Sequence, residues 1–178
     1  MAVNRTVWGY IEQRDLRLMR RVHRWRAPKW IRMLVVLSSR LGDGLVWYLL
    51  GLFILLFGGQ QRFYAFCSGL LAALVAILVF QRLKNLSRRR RPCDIEPHCW
   101  AMISPPDQFS FPSGHTMTSF AMAISIGNFY PQYQPYLLAL AATIALSRIM
   151  LGMHFLTDVL AGGLLGMGIG YACFWLFA

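Results

Sequence analysis

The chain has 178 residues, 57% of them hydrophobic and only 14% charged, with a formal net charge of +11. A soluble domain carries about a quarter charged residues, so this depletion excludes an ordinary soluble domain and indicates a polytopic membrane protein. In a membrane setting the basic excess suits anionic headgroups and phosphorylated ligands, not nucleic acid.

Residues 1–32 are rich in arginine and tryptophan. They are basic without an apolar h-region, so a cleaved signal peptide is not expected. Trp8, Ile11, Leu18, Val22 and Trp25 fall at helical spacing, and Arg14, Arg17, Arg20, Arg21 and Arg24 mostly fill the remainder. That pattern predicts an amphipathic helix lying in the membrane interface, ended or bent at Pro28.

Five apolar stretches follow: "LGDGLVWYLLGLFILLF" (41–57), "FYAFCSGLLAALVAILVF" (63–80), "TMTSFAMAISIGNFY" (116–130), "YLLALAATIALSRIMLGM" (136–153) and "VLAGGLLGMGIGYACFWLFA" (159–178). A spanning helix needs about 20 mostly apolar residues, so several must borrow flanking residues or tilt. The expected fold is an all-α membrane protein: a bundle of five transmembrane helices, six if residues 28–40 insert, plus the N-terminal interfacial helix. Residues 1–32 form that helix, and residues 33–178 form a single transmembrane domain. Gly162, Gly166 and Gly170 recur at i+4 in the last span, a stripe that lets another helix backbone approach closely. This leaves open whether the stripe packs within one chain or between copies.

Of four cysteines, Cys67 and Cys173 lie in apolar runs and read as packing residues. Cys93 and Cys99 share a polar loop, where they pair in an oxidising compartment or stay free in a reducing one. Asp94, Glu96 and His98 nearby lack the spacing of a metal site.

Polar residues beside membrane spans are costly, so their positions are informative. Alternating the spans puts "KNLSRRRRP" (84–92), "PSGH" (112–115) and "SRIMLGMHFLTD" (147–158) on the same face. Lys84, Arg91, Arg148, His115, His154 and Asp158 then converge, and three cations with two imidazoles suit a multiply charged anion. Ser113 and Gly114 stand at a helix start, whose N–H groups hold oxyanions, and Gly114 allows close backbone approach. Each residue also has a structural explanation. Arg88, Arg89 and Arg90 read as a lipid-anchoring run, His154 as a packed side chain, Asp158 as a helix cap and Ser147 as a residue bonded to its own helix. The coincidence of all the stations on one face favours the site. There His154 is the candidate nucleophile and Asp158 the holder of its other nitrogen. His115 is the candidate acid and base, and Lys84, Arg91 and Arg148 balance phosphoryl charge, with no metal or cofactor required.

These residues resemble the type 2 phosphatidic acid phosphatase superfamily, whose signature is K-x6-R-P, P-S-G-H and S-R-x5-H-x3-D. Here it reads Lys84 to Arg91-Pro92, Pro112-Ser113-Gly114-His115, and Ser147-Arg148 through His154 to Asp158. The resemblance implies a metal-independent helical-bundle phosphatase working through a phosphohistidine. It makes His154 the nucleophile, His115 the acid and Asp158 the orienter. Lys84, Arg91, Ser113, Gly114 and Arg148 become phosphate ligands. Substrates typical of the family are phosphatidic acid, phosphatidylglycerophosphate, undecaprenyl pyrophosphate and lipid A phosphates. The expected partners are therefore such a lipid and the bilayer. A non-catalytic phospholipid-binding or transport protein, or a lipid-to-lipid phosphotransferase, are the alternatives. The apolar spans argue against the soluble acid phosphatases and haloperoxidases of the same superfamily. A bacterial inner membrane is the expected location. The resemblance implies a periplasmic site, whereas the concentration of basic residues at the site end implies a cytoplasmic one.

Overall fold

The computed structural model describes residues 2–95 and 107–178, excepting the side chains of residues 2–8. Expectations placed on Glu96, His98 and Cys99, and on the Trp8 side chain, lie outside the described residues. Among the described residues the elements are α1 (Ala2–Arg24), α2 (Lys29–Leu41), α3 (Leu45–Phe57), α4 (Arg62–Ser87), α5 (Pro92–Ile95), α6 (Gly114–Phe129), α7 (Gln134–Met150) and α8 (Leu156–Trp175), with a 3-10 turn at Gly59–Gln61 and no strand.

Small residues decide which helix lies at the centre. Ser119, Ala121, Ala123, Ser125 and Gly127 are buried along α6, which α4, α7 and α8 enclose. α4 meets it with Ala65, Ser68, Gly69, Ala72 and Ala76, all buried, and Ser68 Oγ lies 2.6 Å from Ser125 Oγ. Apolar burial gains little between helices in lipid, so close approach and interhelical hydrogen bonds hold such a bundle. α8 follows the same rule. A Cβ at Gly162, Gly166 or Gly170 would lie 2.7, 2.3 or 2.5 Å from the carbonyl oxygens of Ser113, Met117 and Ala121. The glycine stripe therefore packs α8 on α6 within one chain.

The outer surface is oily, as a lipid-facing surface must be. Leu45, Leu49, Leu52, Phe53 and Leu56 on α3 are each more than half exposed. Gly59–Ile95 and Leu156–Trp175 are each long and apolar enough to cross a membrane. α2 and α3 are bent by 54° relative to each other and count as a third span if taken as one. The bend sits at Gly42–Gly44, where Gly44 has φ +111°, a conformation that favours glycine. α6 and α7 have 16 and 17 residues, about 24–26 Å at 1.5 Å per residue, which is short of a full hydrocarbon core. The stretch expected at 63–80 extends as a helix to Ser87, which carries Lys84 on its last turn.

α1 forms as a helix and stops at Arg24, before Pro28. Among its described side chains the buried ones are Asp15 and Met19, whereas Leu18, and Trp25 just beyond its end, are exposed. Leu18 and Trp25, of the expected apolar stripe, are thus turned away from the protein, and Asp15 faces inward to an arginine partner.

Candidate functional site

The site end is assembled by three loops that hydrogen-bond to one another. α4 closes with Arg88 in the left-handed region (φ 47°), its N–H donating to the Lys84 carbonyl. The chain then runs beside residues 107–111: Ser110 N–H donates to Arg89 O at 2.8 Å, and Ser110 Oγ to Arg90 O at 3.1 Å. After α7, Gly152 (φ 67°) turns the chain so that the N–H groups of Met153 and His154 both reach the Arg148 carbonyl. Cys93 N–H donates to Gly152 O, which joins the first and third loops.

Arg91 is 1% exposed and links several of these parts. Its Nη1 donates to Met153 O at 2.8 Å and lies 3.3 Å from His154 Nε2. Its Nη2 and Nε reach the carboxylate and the carbonyl of Asp107 at 2.7 and 2.9 Å. Lys84 Nζ lies 2.5 Å from the other Asp107 oxygen. One internal carboxylate therefore bridges two of the expected phosphate cations. Burial pushes the Asp107 carboxyl upward, but its bonds to Lys84 and Arg91 more than offset this and hold it below the usual range.

His154 is 1% exposed in the loop before α8. Its Nδ1 lies 2.7 Å from the Ser110 carbonyl, which can only accept, so Nδ1 carries the proton and Nε2 presents a lone pair toward Arg91. Asp158 Oδ2 is 3.7 Å from the same Nδ1, beyond hydrogen-bond range. Asp158 thus faces this nitrogen at ion-pair distance, while the Ser110 carbonyl, which the 107–111 loop brings closer, takes its hydrogen bond. Asp158 Oδ2 instead accepts the Phe155 N–H at 2.9 Å, and Oδ1 takes Arg89 Nη1 at 2.6 Å. Burial, with Arg91 adding to it against Asp158, holds the His154 imidazole down to about 3, so it is neutral at neutral pH.

His115, on the first turn of α6, pairs its Nε2 with Asp43 Oδ1 at 3.0 Å across the α2–α3 bend. A Cβ on Gly42 would come within 2.9 Å of the His115 ring. Ser113 is fully buried, its N–H donated to the Asp158 carbonyl and its Oγ accepting the Thr116 hydroxyl. The N–H groups left for an anion are thus the later ones of that first turn. The space a Cβ would take at Gly114 is filled by the Phe80 ring at 3.1 Å, so its smallness serves helix packing. Arg148, 2% exposed, bonds Ser39 Oγ through Nη1, while its Nε has no partner among the described residues.

Arg89 corrects a further expectation. It is no lipid anchor: its side chain is 9% exposed and bridges Asp15 and Asp158, each at 2.6 Å. Asp15, Asp43, Asp107 and Ser110 were not singled out from the sequence. An acid set among the arginines of that helix is the available hint for Asp15.

A cavity of about 770 Å³ opens between α3 and α4, with α6 as its floor. It runs from Ile54, Phe66 and Ile126 up to Gly114, His115, Arg148 and Met153. A second, of about 510 Å³, adjoins it at Gly114 and His115 and is lined by Lys84, Asn85 and Asp107.

Helical bundle and oily surface define an integral-membrane protein, with a cluster of cations and imidazoles gathered at one end. Residues 62–178 match the PAP2 superfamily, and the chain belongs to it. Decaprenylphosphoryl-5-phosphoribose phosphatase of Mycobacterium tuberculosis is 37% identical over 98 residues, which cover 55% of this chain and 53% of that protein. Phosphatidylglycerophosphatase B of Bacillus subtilis is 32% identical over 134 residues, covering 67% and 63% respectively. The alignments thus span about half to two thirds of these relatives. The crystal structure of Aquifex aeolicus LpxE is similar with a TM-score of 0.76 at 25% identity, covering 89% of this chain and 93% of that one.

Proposed function

We propose that the protein is a lipid phosphate phosphatase that transfers the phosphoryl group to His154 and then to water. The observation that carries this reading is the buried Arg148 guanidinium. Its Nε is unpartnered and no carboxylate pairs with it among the described residues, and it stands where an apolar cavity meets both cation and imidazole groups. A buried, unpaired cation is costly and calls for an anionic ligand. The cavity below accepts the apolar chain to which such an anion would be attached. The relatives named above, phosphatases of phosphorylated lipids, support the same class.

In this reading the phosphoryl group takes the place of the Asp107 carboxylate between Lys84 and Arg91, with Arg148 on a further oxygen. His154 Nε2 attacks phosphorus as the bond to the leaving oxygen breaks, and the Ser110 carbonyl holds the proton on Nδ1 throughout. His115, oriented by Asp43, gives a proton to the leaving oxygen, then takes one from the water that breaks the N–P bond. Ser113 and Gly114 set the start of α6 beneath the group, and Asp158 balances the charge on the phosphorylated ring.

Purified protein in detergent is expected to release inorganic phosphate from phosphatidic acid or undecaprenyl pyrophosphate in the presence of EDTA. Vanadate is expected to inhibit it. His154→Ala should lose at least about 10³-fold in kcat, in line with removal of a nucleophile. Wild-type turnover in that variant refutes the assignment. Recovery of a phosphorylated lipid product instead of free phosphate would identify a transferase.

A further inference from the structure

We propose that Asp15, on the N-terminal helix, is a positioning residue for this chemistry: acting through Arg89, it sets the place and the charge of Asp158. The inference rests on the phosphatase reading above and adds to it a residue outside the segment that matches the superfamily, residues 62–178.

The three groups form one buried chain. Arg89 Nη2 lies 2.6 Å from Asp15 Oδ2 and Nη1 lies 2.6 Å from Asp158 Oδ1, with side-chain exposures of 4% for Asp15, 9% for Arg89 and 0% for Asp158. Thr157 closes the ring, accepting from Arg89 Nη1 at 2.8 Å and donating its hydroxyl to Asp15 Oδ2. The Arg89 guanidinium also lies over the Phe155 ring at 4.2 Å, which fixes its plane.

The charge count explains the arrangement. Arg89 alone would neutralise Asp158 and leave a balanced pair. With Asp15 sharing the guanidinium, the trio carries one net negative charge, and its member Asp158 has Oδ2 3.7 Å from His154 Nδ1. The neutral imidazole of the resting site does not need that charge. Once Nε2 bonds to phosphorus the ring becomes cationic, and the surplus negative charge then opposes it at close range in a dry site. A contribution that appears only as the ring charge develops raises kcat and leaves substrate binding alone.

The test measures phosphate release and phosphoenzyme level for Asp15→Asn, Asp15→Glu and Arg89→Lys in the full chain, with wild type and His154→Ala alongside. Asp15→Asn keeps the shape and removes the charge. It is expected to lower kcat about tenfold with KM changed less than about twofold, and to reduce trapped phosphoenzyme. Asp15→Glu restores the charge and should recover most of that loss. Arg89→Lys offers a point charge in place of a fork, cannot hold both carboxylates, and should lose as much as Asp15→Asn. Wild-type kcat in both Asp15→Asn and Arg89→Lys overturns the proposal. So does a loss of kcat that Asp15→Glu fails to restore, or one that follows the fall in thermal midpoint. An inactive wild type, or an active His154→Ala, would instead refute the phosphatase reading itself, so the two failures are distinguishable.

Discussion

At the scale of single residues, the site depends on which atoms hold the two imidazoles. His154 is fixed by a backbone carbonyl and His115 by the Asp43 carboxylate. Substituting Asp43 by asparagine should slow the step that uses His115, with kcat falling about 10- to 100-fold, less than the about 10²- to 10⁴-fold that a general acid itself contributes. A pre-steady-state assay with an activated leaving group, which needs no acid, checks this: phosphoenzyme formation should then be nearly normal. Asp107 occupies the cation pair that a phosphate would use. Asp107→Asn removes this internal competitor and should tighten inhibition by vanadate several-fold, read as a lowered inhibition constant. The depressed His154 titration gives a pH prediction with a definite sign. Unfolded histidine titrates near 6.5 and the folded one near 3, so the unfolded chain binds the extra proton between those values. Stability should fall with pH below about 6.5, by up to about 1.4 kcal/mol per pH unit from this residue. Thermal melts of wild type and His154→Gln, the latter with the shallower dependence, measure it.

At the scale of elements, close helix contact replaces the oily core of a soluble protein. Gly166 faces the Met117 carbonyl with no room for a side chain. Gly166→Ala must push α8 off α6 and should cost about 1–3 kcal/mol, as overpacking does. A lowered thermal midpoint, with activity lost because Ser113 N–H no longer meets the Asp158 carbonyl, is the expected result. Gly168, on the same helix, meets nothing within 4 Å, so Gly168→Ala should be nearly silent. The α2–α3 bend matters for a different reason: it brings Asp43 to His115, which a straight span would not.

At the scale of the whole molecule, the apolar cavity meets the charged loops at one end of the bundle. Ala73 lines its wall on α4. Ala73→Trp should obstruct an apolar chain there and lower kcat/KM for a long-chain lipid phosphate by about tenfold or more, while leaving a short soluble phosphate ester unaffected. Equal losses on both substrates would show that the cavity does not take the lipid.

The chain alone determined the all-helical membrane class, the packing role of the glycines and a shared end for three motifs. These properties follow from hydropathy, from spacing along a helix and from the alternation of spans, all of which are local. The signature also marked Lys84, Arg91, His115, Arg148, His154 and Asp158 by residue type and order. The partners of those residues were settled only by the tertiary structure. Ser110 beside Asp158 on His154, Asp43 on His115, Asp107 across Lys84 and Arg91, and Asp15 on Arg89 are contacts between segments with no periodic relation. Each forms because a buried polar group needs a nearby partner, and which partner is nearest depends on how the loops close over the helix ends.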